Sequence, residues 1–577
     1  MTKQTVKSGY DELKSIRRES RGLYWAIGFF SFFVNMLMLT GPLYMMQVYD
    51  RVLGSRSEAT LIALSILVVF LYTMMGILDY VRGRLLARVG ARFQSALDRR
   101  VFDAMVRRSA VAPDPVAQTG LADLEAIQRL ISSPVLGAAF DLPWTPLFFA
   151  AIALFHPWLG LLALCGGLVL IAIAVLNQLF SRSPVQKAAV SGHKANLMSE
   201  EIRTEAEMIQ AMGMRNAAFE RWQKGRTHAL RDTLTAHDTS GGFTTLTKSL
   251  RLLLQSAMLG LGAYLVLQGE VTPGAMIAGS ILMGRALAPI ELGLGQWALV
   301  QRAMKGWHSL AELLGKVPPE IERTALPAPK ALLEVQALAV IPPGDQRAQL
   351  RNVSFRIQPG QALGVIGPSG SGKSTLAKAL TGAWRPAAGT IRLDGASLDQ
   401  YAPEVLGRHI GYLPQRVQLF EGTIAQNIAR LAQQPDAEKV VAAAKKAAAH
   451  DMIVKLPEGY DTPVSGGGGR LSGGQMQRIA LARALYDDPV ILILDEPNSN
   501  LDNEGSLALN RAIKLLKSQG QSVLIMAHRP AAIQECEMLL VIDQGTMTAF
   551  GPKDKVLKDM VSNHQTIRKT TTAGGVS

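Results

Sequence analysis

One lysine followed by two hydroxyl residues, at the end of a glycine-rich turn, carries the clearest chemistry in this chain. The turn reads GPSGSGKST over residues 367–375. The apolar run ALGVIG precedes it and the helical pattern STLAKALTG follows, so a strand enters a loop that opens a helix. Gly367, Gly370 and Gly372 let the backbone turn its N–H groups inward at phosphate, with Pro368, Ser369 and Ser371 completing the loop. The helix N-terminus adds partial positive charge. Lys373 reaches the β- and γ-phosphates, the Ser374 hydroxyl can ligate Mg²⁺, and Thr375 closes the nucleotide-binding motif.

A second apolar run, VILILDEP, delivers Asp495 and Glu496 at its end. Ligands bind at the C-terminal ends of strands in such sheets. Asp495 is expected to hold Mg²⁺, directly or through water, and Glu496 to act as general base on the attacking water. Between the two motifs lies LSGGQ at 471–475. Ser472 and Gly473, followed by Gly474 and Gln475, would present a hydroxyl and backbone N–H groups to a γ-phosphate at a helix start.

These motifs must be positioned by a chain of 577 residues, of which 48% are hydrophobic and 18% charged. The charged share of a soluble chain is about 25%, so a purely soluble enzyme is not expected. Wholesale disorder is excluded by the apolar content. Cys165 and Cys536 are the two cysteines, too few and too far apart for a disulfide framework or a cysteine zinc site. The first 21 residues are polar and charged and do not read as a removable signal peptide.

Apolar stretches at about 23–45, 59–80, 135–156, 158–180, 246–268 and 274–297 are each long enough to span a bilayer as a helix. The connections 81–134 and 181–245 are long and carry helical periodicity, which extends spans two to five beyond the bilayer. Stretches 115–125 and 211–218 within them are candidates for short turns of helix touching the downstream domain. Lys14, Arg17, Arg18 and Arg21 precede span one, and Arg82, Arg84, Arg88 and Arg92 begin the run after span two. Basic residues mark the cytoplasmic side, so both ends and the long loops are expected there. The net charge of +14 then needs no nucleic acid. Residues 317–332 form a proline-rich linker, and the pattern beyond it predicts an α/β domain with a largely parallel sheet. The expected organisation is a 1–22 segment, a 23–316 transmembrane domain, a 317–332 linker, a 333–563 nucleotide-binding domain and a 564–577 tail.

A P-loop followed by LSGGQ and LDEP resembles the ATPases of ABC transporters, over about 230 residues. The resemblance implies further roles. Gln415 in GYLPQ matches the Q-loop glutamine, a catalytic and Mg²⁺ contact. His528 in LIMAHRP matches the switch histidine, and Asp502 lies in the D-loop. The LSGGQ of one protomer would close over ATP held by the other, so one chain is a half-transporter and acts as a homodimer. Three positions depart from the family. Ile341 stands where an adenine-stacking aromatic is usual, glycines of SGGGG replace an acidic residue before LSGGQ, and Met476 replaces a basic one after it.

Six spans followed by one nucleotide domain resemble the exporter architecture, an all-α six-helix transmembrane domain fused to an α/β P-loop ATPase domain. PLYMMQVYDRVLGSRSEATL at 42–61, DLPWTPLFF at 141–149, FHPWLG at 155–160, LDEPNSNLD at 494–502 and MAHRP at 526–530 are similar to the PrtD-like protease-secretion ATPases of bacterial type I secretion. That subgroup implies export of unfolded polypeptides with a C-terminal signal, many with calcium-binding repeats. It implies a multi-pass protein of the inner membrane, a periplasmic membrane-fusion adaptor and a TolC-like outer-membrane channel. An exporter of lipid or small amphiphiles is the alternative on this architecture. An ATP-binding scaffold without turnover is disfavoured by the intact Lys373, Asp495, Glu496 and His528. Span one begins near residue 23, so no peptidase domain is expected before it. Asn35, Asp141, Asn177, Arg285 and Glu291 lie in or near spans, where they line a path or pair locally.

Overall fold

The structure is a computed structural model that describes residues 3–111, 114–320, 323–465, 471–498, 503–528 and 533–559. The chain divides near Pro319 into two compact units.

The first unit is helical. Six of its helical segments are long and apolar enough to cross a membrane: Arg21–Ser55, Glu58–Val111, Pro134–Phe155, Pro157–Thr204, Arg215–Leu267 and Pro273–Gly295. Three of them run for 54, 48 and 53 residues, far past the ~20 needed to cross a bilayer. The 115–125 stretch is not a short turn. It opens a 17-residue helix, Pro115–Ile131, because Asp114 caps its start by accepting from the Val116 N–H and Pro115 suits the first turn. The 211–218 stretch is a break: the Ala206–Ala211 helix ends, Gly213 takes φ of +65°, and a new helix starts at Arg215. Ahead of the first span, the Lys3–Glu19 helix docks on the Trp297–Lys316 helix through Leu13, Leu310 and Leu314, all buried. A Cβ on Gly9 would collide with the Ala311 carbonyl, so only glycine allows this approach.

Polar side chains stitch the apolar helices. Arg82 donates to Asp141 at 2.6 Å and to Ser31 at 3.1 Å, and it also pairs with Asp79 at 2.7 Å. The Asn35 amide donates to the same Asp141 oxygen at 2.7 Å. Asp141 therefore joins three spans. Asn177 and Glu291 have local partners, Ser181 at 2.7 Å and Arg251 at 3.4 Å. Arg285 has no ion pair among the described residues, and with Asn35 and Asp141 it lines a cavity of about 370 Å³. The short connections are also tied. Asp50, in the π-helical turn Val48–Val52, accepts from the Thr272 hydroxyl at 2.7 Å and the Gly274 N–H at 2.8 Å. His156 lies 3.0 Å from Glu270.

The second unit is built on a ten-stranded sheet. Its strands are β1 (Leu333–Val340), β2 (Leu350–Ile357), β3 (Ala362–Ile366), β4 (Ala388–Leu393), β5 (Ala396–Ser397), β6 (Ile410–Leu413), β9 (Ile491–Asp495), β10 (Ser522–Ala527), β11 (Met538–Asp543) and β12 (Thr546–Pro552). The short strands β7 (Gly422–Thr423) and β8 (Pro463–Val464) pair separately. The order in the large sheet is β5-β4-β1-β2-β12-β11-β3-β10-β9-β6. The sheet is parallel from β11 to β6 and at the single β12–β2 pairing of Thr546 with Arg351, so it is mixed, a correction to the expected largely parallel sheet. β1, β2, β4, β5 and the β11–β12 pair are antiparallel. The reason lies in the connections. Asp394-Gly395 and Gln544-Gly545 turn with positive φ at both residues, too tight for a crossover helix. The parallel strands β3, β9 and β10 are buried on both faces, so they read as continuous apolar runs.

The Arg82 and Asp141 side chains are only 11% and 12% exposed. Removing Asp141 leaves the Arg82 guanidinium only the exposed Asp79 as counter-charge. Asp141→Ala should cost about 3 kcal/mol of stability. Thermal unfolding of the detergent-solubilised protein checks this, and Asp141→Ala with Arg82→Met should lose less than the single change.

Candidate functional site

Four neighbouring parallel strands end on one edge, and each delivers part of the site. β3 runs into the loop Gly367–Gly372. A Cβ on Gly367 would meet the Ile542 carbonyl, and one on Gly372 would lie 2.7 Å from Leu350. The loop therefore packs against β11 and β2 with no room for side chains there. Lys373 starts the following helix, is buried, and donates from Nζ to the carbonyls of Gly367 and Pro368, each at 2.8 Å. Its ammonium is thus held across the hollow of the loop, where a phosphate would sit. Pro368, Ser369 and Gly370 are exposed on the rim, whereas Ser371 is buried with an unpartnered hydroxyl.

β9 places Asp495 at its last residue and Glu496 just beyond it. Glu496 has φ of +52°, a left-handed conformation that costs a side-chain residue about 1–2 kcal/mol. Its backbone N–H donates to the Met526 carbonyl at 2.9 Å, which fixes the turn to β10. The carboxylate then gathers two neighbours. Gln415, just past β6, donates from Nε2 to Oε2 at 3.0 Å. His528, just past β10, brings Nδ1 within 3.3 Å of Oε1. Gln415, Glu496 and His528 are one cluster, although they span 113 residues of sequence.

Asp495 is buried, and its Oδ1 has no hydrogen-bond partner. Burial, reinforced by the neighbouring Glu496 charge, pushes its carboxyl above the usual carboxylate range. A hydrogen bond from Ser374 and the charges of Lys373 and Lys378 act the other way. An orphaned buried carboxylate oxygen beside a serine hydroxyl fits a Mg²⁺ that keeps waters and phosphate oxygens as its other ligands. Among the described residues there is no cluster of three His, Cys, Asp or Glu side chains that would form an all-protein metal cage.

Ser472 caps the Gly473–Leu485 helix. Its Oγ accepts from the Gln475 N–H at 3.3 Å, and the Gln475 side chain reaches back to the Ser472 N–H at 2.8 Å. This capping box uses a lone pair of the hydroxyl and leaves its proton free to be donated. Gln475 is turned onto the helix start, while the N–H groups of Gly473 and Gly474 remain among the free donors of the first turn. Ile341 follows β1 and is 40% exposed. Asp502 and the glycines 466–469 lie outside the described residues.

Three supporting residues were not expected from the sequence. Gln349 accepts from the Thr375 hydroxyl at 2.8 Å and ties the loop after Ile341 to the helix that Lys373 starts. The Gly545 N–H donates to the Ser371 carbonyl at 3.2 Å, and a Cβ there would strike the Gln349 carbonyl. Buried Gln477 donates to the Pro497 carbonyl, joining the LSGGQ helix to the segment after Glu496. The only signal for Gln477 was a polar residue in an otherwise apolar helix face. Gln349 and Gly545 had none.

Two outcomes test the carboxylates. Glu496→Gln should keep nucleotide binding and lower hydrolysis by roughly 10²–10⁴-fold, measured as phosphate release at saturating ATP. The raised carboxyl of Asp495 contributes stability below the ordinary aspartate range, and that contribution is lost as pH rises through the raised value. At neutral pH the ionised group therefore works against the fold. Asp495→Asn should raise the unfolding midpoint of the full chain without nucleotide or Mg²⁺ at neutral pH, give no gain at strongly acid pH, and abolish hydrolysis.

Comparison with known proteins identifies the family of the chain. Residues 24–288 match the family model of the ABC transporter transmembrane region, and residues 350–499 match the ABC transporter family model. The chain is 43% identical over 557 residues to the type I secretion system ATP-binding protein PrsD of Rhizobium meliloti, covering 96% of this chain and 95% of that one. It is 30% identical over 542 residues to the leukotoxin translocation ATP-binding protein LktB of Mannheimia haemolytica, covering 92% and 75%. Its fold is similar to that of a bacterial Atm1-family ABC exporter solved with ATP bound, with a TM-score of 0.77 at 22% identity over 94% of this chain. A P-loop unit joined to six apolar helices, with 43% identity over 96% of the chain to a type I secretion ATP-binding protein, makes this chain a member of the ABC transporter family, within its type I secretion ATP-binding proteins.

Proposed function

We propose that the chain exports unfolded polypeptides from the cytoplasm as a homodimeric half-transporter of the bacterial inner membrane. The observation that carries this reading is the 43% identity to PrsD over nearly the full length of both chains. As an ATPase coupled to transport, the chain needs a site that binds triphosphate, cleaves it and passes on the change in shape. One P-loop and one LSGGQ occur per chain, so a site built from both motifs takes a second copy.

In that site Gly367, Pro368, Ser369, Gly370, Ser371 and Gly372 wrap the phosphates with backbone N–H groups. Lys373 swings its ammonium from the loop carbonyls to the β- and γ-oxygens, and Thr375 stays tethered by Gln349. Ser374, Asp495 and Gln415 would hold Mg²⁺, which when bound neutralises charge on the β- and γ-oxygens. Glu496 accepts the proton of the attacking water, with Gln415 and His528 fixing its carboxylate. The free Ser472 proton and the N–H groups of Gly473 and Gly474 meet the γ-phosphate from the other protomer, with Gln475 shaping that helix start. Asp502 takes its D-loop role from the family resemblance alone, and Ile341 offers apolar contact to the base.

The basic residues flanking spans one and two support a cytoplasmic ATPase unit. Transport across both membranes of the envelope requires a periplasmic adaptor and a TolC-like outer-membrane channel as partners. The test is secretion of candidate cargo by cells with and without this chain, and with Lys373→Ala. Cargo should leave only the cells carrying the unaltered chain. Undiminished secretion with Lys373→Ala in the membrane would refute the reading.

A further inference from the structure

The Pro273–Gly295 helix is mostly enclosed by its neighbours. From Gly274 onward its exposed residues are Arg285, Ala288, Leu292 and Gly295. Spacings of three, four and three put them on one face. That face differs from one that meets lipid. Along Glu58–Val111 the exposed residues include Ile62, Ile66, Val69, Phe70 and Ile77, each more than half exposed. A face of one arginine, one leucine and two small residues suits water and a passing solute.

The same face forms one wall of the 370 Å³ cavity. Pro289 is also in that wall, and its missing N–H leaves the Arg285 carbonyl without its helical partner, which loosens the helix there. The facing wall carries Asn35, Asp79, Arg82 and Asp141. There the hydrogen bonds are already spent: Arg82 serves both carboxylates, and Asn35 adds a bond to Asp141. Arg285 is the exception. Its five N–H donors have no acceptor among the described residues, and it makes no bond to Asp79 across the cavity. An unpaired guanidinium inside a span is costly unless an anion reaches it.

We propose that Arg285 is a recognition residue for carboxylates of the polypeptide in transit, seated in the cavity between the Pro273–Gly295 helix and the Arg82–Asp141 wall. This rests on the export reading above and specifies what its path selects. Guanidinium and carboxylate match in charge and in planar geometry. Asp79 is the competing anion, because its side chain is 57% exposed.

The test measures peptide binding by fluorescence anisotropy, using the full chain in phosphatidylcholine nanodiscs. The probes are a glycine–serine peptide carrying several glutamates and the same peptide with glutamines. The acidic peptide should bind about tenfold tighter, the size of one charge-assisted hydrogen bond. Arg285→Gln should erase the difference, and Arg285→Lys should retain most of it, which separates recognition from misfolding. Asp79→Asn should widen it. Discrimination that survives Arg285→Gln overturns the proposal. So does discrimination that vanishes in the unaltered chain when phosphatidylglycerol is added, since the occupant is then a lipid headgroup. Dissociation of the dimer by Arg285→Gln also overturns it, by making the residue an interface partner. Absence of glutamate discrimination in the unaltered chain, with Lys373-dependent secretion intact, sinks this proposal alone, whereas secretion indifferent to Lys373→Ala sinks the export reading.

Discussion

Parallel register is the constraint on which the ATP-cleaving unit depends. β3, β10, β9 and β6 are adjacent and run the same way, so their C-terminal ends fall on one edge. Met526 pairs with Asp495 and Ala527 with Ile366 in that ladder. The residues just past these pairs are Gly367, Glu496 and His528, and Gln415 follows β6. A slip of one residue in any strand would turn its side chains to the opposite face and scatter the cluster. Burial on both faces supplies the rigidity, since β9 and β10 have no exposed position.

Local strain and buried charge are concentrated at that edge. Glu496 is held in a left-handed conformation, Asp495 keeps an orphaned oxygen, and Lys373 spends its donors on its own loop. Such costs persist where the surrounding structure over-determines them, and they cluster at functional sites. The antiparallel half of the sheet supplies part of that support. Its Gln544-Gly545 turn donates a hydrogen bond to the P-loop at Ser371, and Gln349 just before β2 holds Thr375.

The glycine loop and the two strand-end carboxylates were legible in the sequence because the chemistry proposed for them needs fixed neighbours. A lysine must follow a glycine loop, and two carboxylates must end an apolar strand. The six apolar stretches were legible for a similar reason, since a bilayer demands length. Other features depend on tertiary approach and leave no periodic mark. Gln349, Gly545 and Gln477 act through contacts made across 20 residues or more. The antiparallel wing was obscured because its pairing is interrupted by register shifts, as between Val335 and Leu338. The long Pro115–Ile131 helix was hidden by its own start, where Asp114 and Pro115 resemble a turn as much as a cap.

The helix Glu58–Val111 has one further consequence. It contains no proline and runs unbroken for 54 residues, roughly 80 Å at 1.5 Å per residue. A rod of that length is a lever: tilting it by about five degrees at one end displaces the other by about 7 Å. Work done over ångströms at one extremity can thus be delivered as a step wider than a water molecule at the other, with no hydrogen bond in the shaft needing to break.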